Sequence, residues 1–432
     1  MEPLLRAIVI APGPEKDSAP CPPLLRAGGL SILVRALLTL KRGGVSNLTV
    51  VALGERDAIH EEVRREPGLR ETRILDVSEA THEAALAGGG EGGGRGGDFL
   101  LVLGDRVFSA DAADDLNRAR PAEGKGLILL EEGGGFSGLA FCRAARAAEI
   151  GAALSGTGDP AGRLERAIGP ADRLPLKKGF IDRVRSAADA RRAEDRLLRG
   201  LVKETDSFMS RHIDRRISLR VTRRLARTRL TPNQMTGVHS FIGLAGAVLF
   251  AQPVRWVQVL GALLFMLSST LDGCDGEIAR LKFRQSRFGG WLDIWSDNVV
   301  HVAVFGAIAV GLYRQAPAER FLWLGTFACL GVVLSAGLVS WKTLRRKTGE
   351  GNFFVSVGEV ETDPPAAPQK PKKDSLRDID DYLARRDFIY LLLPLAAFGK
   401  LEWFLWASAI GGNLFFLSLL VLYTRAKTAP EA

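Results

Sequence analysis

The sequence D-G-C-D-G-E-I-A-R at residues 272–280, followed after eight residues by G-G-W-L-D-I-W-S-D at residues 289–297, decides how the chain folds. Long apolar segments flank it, so its carboxylates lie where a chain that enters and leaves a bilayer tolerates charge least. On two helices, spacings of three and four residues put each acid pair on one face. Converging carboxylates repel one another unless cations neutralise them, and such hard oxygen ligands favour Mg²⁺, Mn²⁺ or Ca²⁺. The stretch therefore predicts a metal site formed by Asp272, Asp275, Asp293 and Asp297.

Small residues surround these acids. Gly273, Gly276 and Gly289 place no side chain beside them, so a ligand can approach the backbone closely. Ala279 adds only a methyl group, and Arg280, one helical turn after Gly276, carries a forked donor that suits phosphate. Together these features predict a pyrophosphate site.

The order D-x-x-D-G-x-x-A-R-x8-G-x3-D-x3-D, filled at every fixed position by residues 272–297, resembles the signature of the CDP-alcohol phosphotransferases, also called CDP-alcohol phosphatidyltransferases. The resemblance implies that a hydroxyl attacks the β-phosphorus of a CDP-activated alcohol and displaces CMP, with Mg²⁺ or Mn²⁺ held by the acids. It implies that all four aspartates are metal ligands and that Asp297 is also the general base. It assigns nucleotide binding to Gly276, Ala279, Arg280 and Gly289.

The segment T-P-N-Q-M-T at residues 231–236 opens the first apolar helix, with Thr231 as the N-cap and Pro232 at the first helical position. It resembles the P-N-x-x-T entry of the same family, which lies near the nucleotide. The resemblance adds Pro232, Asn233 and Thr236 as nucleotide-binding candidates. An ordinary helix start explains these residues equally well.

Three basic residues separate the two acid pairs, namely Lys282, Arg284 and Arg287. They are candidates for binding the phosphate of the acceptor, and ordinary topology-setting charge explains them too. A purely structural alternative has the acids cap helix ends or pair with these three residues. His301, one turn beyond Asp297, either reaches the site or packs against another helix, and His239 is interpreted as a contact between helices.

The chain has 432 residues, enough for two or three domains, and a formal net charge of +9. Its four cysteines have no paired spacing, which argues against a disulfide framework or a zinc site, and no secretion signal is recognised. We predict a soluble α/β domain over residues 1–200, an interfacial amphipathic helix over 201–230 and an all-α domain of six transmembrane helices over 231–428.

In the first domain, short β-rich runs alternate with helical stretches, which predicts a mostly parallel sheet. The predicted strands are residues 7–11, 48–53, 99–103 and 127–130, and the predicted helices include residues 30–42 and 110–119. Residues 88–97 contain eight glycines in ten positions and are interpreted as a flexible insertion.

This domain resembles the Rossmann-like nucleotidyltransferases that make sugar or alcohol nucleotides. The resemblance lies in the order of a strand, a loop, the motif P-L-L-x-x-G-G and a helix, and in the segment G-D-R-V-F at residues 104–108. Its functional residues depart from that family. Prolines interrupt the phosphate loop at residues 11–17, Pro22 replaces a lysine, and Arg183 stands where a metal-binding aspartate is expected. Only Asp105 remains, so the domain is predicted to keep the fold and lose the reaction, with residual cytidylyl transfer as the alternative.

The two domains in this order resemble the bifunctional inositol-1-phosphate cytidylyltransferase/di-myo-inositol-phosphate-phosphate synthases, whose first half makes CDP-inositol and whose second half consumes it. The resemblance implies a role in inositol phosphodiester or phospholipid synthesis, with an inositol phosphate or a lipid as the hydroxyl acceptor. With an inactive first domain, another protein must supply the CDP-alcohol.

The junction carries eight arginines between Arg211 and Arg229, around an apolar face that includes Ile213, Ile217, Val221 and Leu225. This pattern is typical of a helix on an anionic membrane surface, and a solvated linker helix is the alternative. Base-stacking aromatic residues are not interleaved with the arginines, so no nucleic-acid partner is predicted.

Six apolar segments predict the transmembrane helices: residues 235–252, 254–271, 290–313, 321–341, 388–398 and 401–423. Basic residues gather beside them on one side, so the positive-inside rule places the acids and both termini in the cytoplasm, at the cell (inner) membrane. Residues 362–374 are predicted to be a disordered loop, and the sequence is compatible with a homodimer.

Two other classes of protein also place acids near a membrane. A transporter predicts acids at the bilayer midplane and internal repeats, whereas these acids lie at span ends and no repeat is evident. A non-catalytic scaffold would have no need of the acid signature, so the intact signature argues against that class.

Overall fold

The computed structural model describes residues 6–14, 21–76, 97–118, 122, 124–131, 133–154, 159–176, 178–202, 209–345 and 389–428. The chain divides into two compact units, Met1–Gly200 and Leu201–Ala432. Two predicted loops, residues 88–96 of the glycine insertion and residues 362–374, lie outside the described residues. The same holds for residues 15–17 of the phosphate loop and 203–208 of the junction.

The N-terminal unit is built on strands β1 Arg6–Ala11, β2 Arg26–Ala27, β3 Leu30–Ser31, β4 Asn47–Ala52, β5 Arg73–Asp76, β6 Phe99–Leu103, β7 Arg106–Phe108, β8 Gly126–Leu130, β9 Phe136–Cys142, β10 Ala171–Pro175 and β11 Ile181–Arg183. Seven of them form one sheet in the order β10-β8-β9-β6-β1-β4-β5. All pairs in it are parallel except those of β9, which runs antiparallel to β6 and β8. The predicted α/β architecture is therefore confirmed, although strands β5, β9 and β10 were not predicted.

Helices α1 Ile32–Arg42, α2 Arg56–Arg65, α3 Ala110–Arg118, α4 Ala147–Leu154, α5 Pro160–Ile168 and α6 Ala187–Arg199 connect these strands. Strands β6 and β9 are buried along their whole length, as expected for strands in the middle of a sheet that is covered on both faces. Ser31 caps α1 by accepting a hydrogen bond from the amide of Val34, and Ser186 with Asp189 forms a capping box on α6.

The C-terminal unit is helical: α7 Arg215–Ala226, α8 Pro232–Phe250, α9 Arg255–Leu281, α10 Arg287–Gln315, α11 Glu319–Arg345, α12 Ile389–Ala397 and α13 Leu401–Thr428. Thr231 and Gln234 form a capping box at the start of α8, with Pro232 in the first turn. The second predicted apolar segment ends at residue 271, but α9 continues as helix through both acids of the first pair to Leu281. Phe283 then adopts a left-handed conformation with φ 55°, which turns the chain toward α10.

Within the described residues, four helices are long and apolar enough to cross a membrane: Arg255–Leu281, Arg287–Gln315, Glu319–Ser340 and Leu401–Val421. The predicted number of six is not confirmed. The 19-residue α8 has the length of a span but carries Asn233, Gln234 and His239, and the described part of the fifth segment is only the nine-residue α12, which contains Pro394.

Helix α7 packs through only part of the predicted apolar stripe. Val221 and Leu225 lie against the buried Met235, Cys274 and Ile278, whereas Ile213 and Ile217 are 39% and 41% exposed. The buried residues of α7 are Ser218, Thr222 and Ala226. Short polar side chains allow close approach to another helix and can bond across it.

Candidate active site

The two acid pairs of the C-terminal unit meet at one point. Asp272 and Asp275 lie on α9, and Asp293 and Asp297 lie on α10. Carboxylate oxygens of Asp272, Asp293 and Asp297 and a ring nitrogen of His239 all lie within 4.8 Å of one another. Three of the four predicted metal ligands are thus gathered in one cluster, together with a histidine that sequence reasoning had interpreted as a helix contact.

Asp275 lies beside this cluster. Its Oδ2 is 3.7 Å from His239 Nε2 and accepts a hydrogen bond from Thr236 Oγ1 at 2.5 Å. Its Oδ1 accepts a hydrogen bond from the amide of Gly276 at 2.5 Å. Thr236, a predicted nucleotide-binding residue, therefore holds the orientation of an acid in this structure.

Close packing of α8 against α9 places His239 next to the acids. A Cβ atom at Gly246 would lie 2.9 Å from the carbonyl oxygen of Gly261, so both positions need glycine for the two backbones to approach. One turn before the acids, Ser268 Oγ donates a hydrogen bond to the carbonyl oxygen of His239 at 2.7 Å. The register between the two helices is fixed by these contacts.

A cleft adjoins the acids, and most of the predicted nucleotide-binding residues line it. Its lining comprises Pro232, Asn233, Thr236, Asp275, Gly276, Ala279, Arg284, Gln285, Ser286, Gly289, Gly290 and Asp293. Gln285, Ser286 and Gly290 were not predicted, since they lie at variable positions of the signature. The cleft joins the start of α8, the end of α9 and the start of α10.

Two glycines of the signature make room for polar groups. A Cβ atom at Gly276 would lie 3.2 Å from Arg280 Nη1, so the arginine lies over the bare backbone of the preceding turn. A Cβ atom at Gly289 would lie 3.0 Å from both Asn233 Oδ1 and Ser286 Oγ. The glycines thus admit side chains of this chain itself.

The three predicted acceptor-binding residues occupy different places. Arg284 lines the cleft. Lys282 is 5% exposed, and its Nζ donates to the carbonyl oxygens of Thr228 at 2.8 Å and Leu230 at 3.4 Å. Burial, and then the charge of Arg284, lowers the pKa of Lys282. The structure thus places Lys282 as an anchor for the loop before α8, whereas Arg287 begins α10.

Glu277, at a variable position of the signature, is fully buried and binds α7. Its Oε1 accepts hydrogen bonds from Arg215 Nη1 and Ser218 Oγ, and its Oε2 from Thr222 Oγ1, each at 2.7 Å. These are the polar residues on the buried face of α7. The sequence did not predict this contact, because the apolar stripe gives no indication of the partner of the polar side chains beside it.

A second polar contact anchors the segment that precedes α7. Asp214 Oδ1 accepts hydrogen bonds from Thr270 Oγ1 at 2.9 Å and from the hydroxyl of Tyr390 at 2.6 Å. Thr270 is two residues before Asp272 on α9, and Tyr390 belongs to α12. The segment of residues 209–226, called the juxtamembrane segment below, is thus bound to both α9 and α12.

The imidazole of His301 packs between helices and also bonds within its own helix. Its Nδ1 lies 2.7 Å from the carbonyl oxygen of Asp297, one turn earlier in the same helix. Its ring contacts Phe265 and Phe305 edge-on, with centroids 5.6 and 6.0 Å away.

In the N-terminal unit, Asp105 is paired with arginine. Its Oδ2 lies 3.1 Å from Arg106 Nη1 and 3.2 Å from Arg183 Nε, and Arg183 also binds Asp159 at 2.7 Å. Burial lowers the pKa of Arg106, although the carboxylate of Asp105 acts in the opposite direction. A cavity of about 580 Å³ beside this group is lined by both arginines, Arg185 and several acids. Oδ2 of Asp105 is therefore held by two guanidinium groups.

The donor set of the C-terminal cluster fits a divalent cation. Asp272 and His239 are buried, the two other acids are half-buried, and their ligand atoms converge. Carboxylate oxygens of this kind hold Mg²⁺ and Mn²⁺, and an imidazole is compatible with the latter.

Residues 229–353 match the model of the CDP-alcohol phosphatidyltransferase family. The chain is similar to the bifunctional IPC transferase and DIPP synthase of Thermococcus kodakarensis, with 36% identity over 170 residues, 39% of this chain and 36% of that protein. The protein of the same name from Rubrobacter xylanophilus is 29% identical over 322 residues, 67% of this chain and 72% of that protein. The matched regions of the first relatives span only about a third of their length.

Among solved structures, the chain is similar to phosphatidylinositol phosphate synthase of Mycobacterium tuberculosis with CDP-DAG bound. The identity is 21%, the match covers 50% of this chain and 96% of that protein, and the TM-score is 0.34.

Proposed function

We propose, from the match of residues 229–353 to the CDP-alcohol phosphatidyltransferase family, that this chain transfers the phosphoalcohol group of a CDP-alcohol to a hydroxyl acceptor and releases CMP. One observation carries the proposal: donor atoms from α8, α9 and α10 gather within 4.8 Å although they come from positions up to 58 residues apart, from His239 to Asp297. Acids brought together in this way are suited to a divalent cation.

Asp297 is proposed as the general base. The acceptor oxygen forms a bond to the β-phosphorus, the bond from that phosphorus to the CMP oxygen breaks, and the acceptor proton passes to the Asp297 carboxylate. Asp272, Asp275, Asp293 and Asp297 would hold Mg²⁺ or Mn²⁺, which would neutralise the pyrophosphate and the leaving CMP. Asp275 is restrained for this task by Thr236 and the amide of Gly276.

The cleft beside the acids is proposed to bind the nucleotide and the acceptor. Its small residues leave the backbone accessible, and Asn233 projects toward Gly289 at the start of α10. Arg280 lies over Gly276, where a guanidinium can meet the pyrophosphate. Arg284 is the acceptor-binding candidate that the lining of the cleft supports.

For the membrane, we propose the full six-helix arrangement, in which α8 and α12 accompany the four apolar helices. The positive-inside rule then places the acids and both termini in the cytoplasm. The exposed Ile213 and Ile217 of the juxtamembrane segment suit contact with lipid, while Glu277 holds the other face of α7. A lipid or an inositol phosphate is the proposed acceptor, and a homodimer is the proposed assembly.

For the N-terminal unit, we propose a nucleotidyltransferase-like fold without activity, because Arg106 and Arg183 occupy the carboxylate of Asp105. The second candidate function is a bifunctional enzyme that also makes the CDP-alcohol. The similarity to the Rubrobacter xylanophilus protein favours it, since that match covers 67% of this chain and so reaches into both units.

Purified full-length protein tests the transferase directly. It is incubated with CDP-alcohols of lipid and inositol type, with and without Mg²⁺ or Mn²⁺, and CMP release is measured. We expect metal-dependent CMP release that requires an added acceptor. A folded protein that releases no CMP from any CDP-alcohol, or that acts equally well in chelator, contradicts the proposal.

A second assay separates the two candidate functions. Incubation with CTP and inositol 1-phosphate should release no pyrophosphate if the N-terminal unit is inactive. Pyrophosphate release that is lost in Asp105→Ala would instead show that the bifunctional alternative is right.

A further inference from the structure

His239 is a buried imidazole that points into the acid cluster. It lies on α8, outside the stretch that carries the acid signature, and is 1% exposed. Its Nε2 lies 3.7 Å from Asp272 Oδ1 and 3.7 Å from Asp275 Oδ2. Within the part of the chain that the structure describes, this nitrogen has no hydrogen-bond partner.

These separations are too long for hydrogen bonds, which extend to about 3.2 Å between nitrogen and oxygen. Burying a polar nitrogen without a bond is unfavourable, so the arrangement needs a physical reason. Two neighbouring ligands of one cation, each about 2.1 Å from it, are roughly 3.0–3.7 Å apart. The distances from His239 therefore fit donors that share a cation.

We propose that His239 is a nitrogen ligand of the metal centre and makes it prefer Mn²⁺ to Mg²⁺. The inference rests on the proposed function in one respect, that the aspartates hold a divalent cation. Imidazole is a good ligand for transition metals, whereas Mg²⁺ strongly prefers oxygen donors and retains water. A centre with three or four carboxylates and one imidazole should thus discriminate between the two ions.

The surrounding helices hold the backbone at His239 in place, which limits where its imidazole can lie. Ser268 Oγ bonds the carbonyl oxygen of His239, as described above. One turn further along α8, a Cβ atom at Gly243 would lie 2.6 Å from Val300 Cγ1 on α10, so α8 is tightly packed against α10 here. A ligand fixed by packing on three helices selects a metal by its donor type, because it cannot easily move away.

Pulsed electron paramagnetic resonance of the full-length protein loaded with one equivalent of Mn²⁺ tests the nitrogen ligand without an activity assay. We expect echo modulation from a directly coordinated ¹⁴N in the wild type and its loss in His239→Asn. The matched control is His301→Asn, another histidine of the membrane unit, which contacts Phe265 and should leave the modulation unchanged.

Calorimetric titration of the same proteins tests the preference. His239→Asn should weaken Mn²⁺ binding by on the order of tenfold or more and Mg²⁺ binding much less. His239→Asp, which makes all donors oxygen, should restore binding and shift the ratio of the two dissociation constants toward Mg²⁺. A merely structural role for His239 would weaken both ions equally.

The outcomes separate this inference from the proposed function. Mn²⁺ that binds without ¹⁴N modulation in the wild type overturns the role of His239 and leaves an aspartate-held cation intact. Binding of neither ion overturns both. Since the wild-type spectrum requires no substitution, it decides the matter even if the His239 variants do not fold.

Discussion

Two acid sites in this chain have opposite surroundings. In the N-terminal unit, Asp105 is buried and lies within 3.2 Å of two arginines, Arg106 and Arg183. In the C-terminal unit, three aspartates and a histidine converge, with further acid from Asp275 beside them. The first carboxylate lies between two guanidinium groups of the chain itself, whereas the second group brings several acids to one point, and we propose that it holds a cation.

The difference shows that the presence of an acid does not define its role. Two neighbouring acids of the signature stretch illustrate this. Glu277 lies two residues after Asp275, yet it is bound by Arg215, Ser218 and Thr222 of the preceding helix segment. A buried carboxylate held by a fixed guanidinium stabilises structure, since each charge compensates the other. Several acids that converge on one point repel one another, and such clusters are frequent at functional sites.

The largest effect is expected for the proposed base. Asp297→Asn removes the proton acceptor and should lower CMP release by roughly 10²–10⁴-fold. Helical content by circular dichroism should stay unchanged. Glu402→Gln is the matched control, because Glu402 is an exposed acid of the same unit whose pairing with Arg320 at 3.5 Å is weak. Near wild-type activity in Asp297→Asn would contradict the assignment.

The next effect concerns stability, and it tests whether Glu277 differs in role from the neighbouring aspartates. Glu277→Ala leaves Arg215 without its buried partner and should destabilise the fold by about 3–5 kcal/mol, measured by denaturant or thermal unfolding in detergent. Mn²⁺ affinity of the protein that remains folded should change little, since Glu277 lies outside the cluster. Loss of metal binding with unchanged stability would reverse the roles assigned here.

A smaller effect on stability, and none on activity, is expected in the other unit. Asp105→Ala leaves Arg106 buried but still able to donate from Nε to the carbonyl oxygen of Ser137 at 2.8 Å. We expect a loss of about 1–3 kcal/mol in the unfolding of the N-terminal unit, because a buried charge loses one partner. CMP release from supplied CDP-alcohol should remain unchanged, and its loss would mean that the paired acid has a functional role.

The smallest effect distinguishes two basic residues of the loop. Arg284→Ala should raise the KM for a phosphorylated acceptor by about tenfold, the effect of losing one charge-assisted hydrogen bond. Lys282→Ala should leave that KM unchanged and instead lower stability, because Nζ holds the carbonyl oxygens of Thr228 and Leu230. The reverse pattern in steady-state kinetics would assign the acceptor phosphate to Lys282.

The sequence predicted four of the seven strands of the N-terminal sheet, β1, β4, β6 and β8, because strands covered on both faces are continuous apolar runs. It did not predict the edge strands β5 and β10, which contain charged residues, or β9, whose antiparallel pairing with β6 and β8 depends on partners distant in the chain. In the membrane unit, the sequence located the apolar helices but ended the second apolar segment too early, at residue 271. Glycines and acids lower the apparent apolarity of α9 while its backbone bonds continue to Leu281.

By itself, the sequence determined the family signature, the composition of the acid site and the division between an α/β part and an apolar helical part. These are set by residue type and by spacing along the chain, which require no knowledge of neighbours. Only the tertiary structure decided that His239 faces the acids, that Glu277 binds α7, and that Arg106 and Arg183 hold Asp105. The physical reason is that each of these contacts depends on the packing of separate elements, which periodicity within one element does not encode.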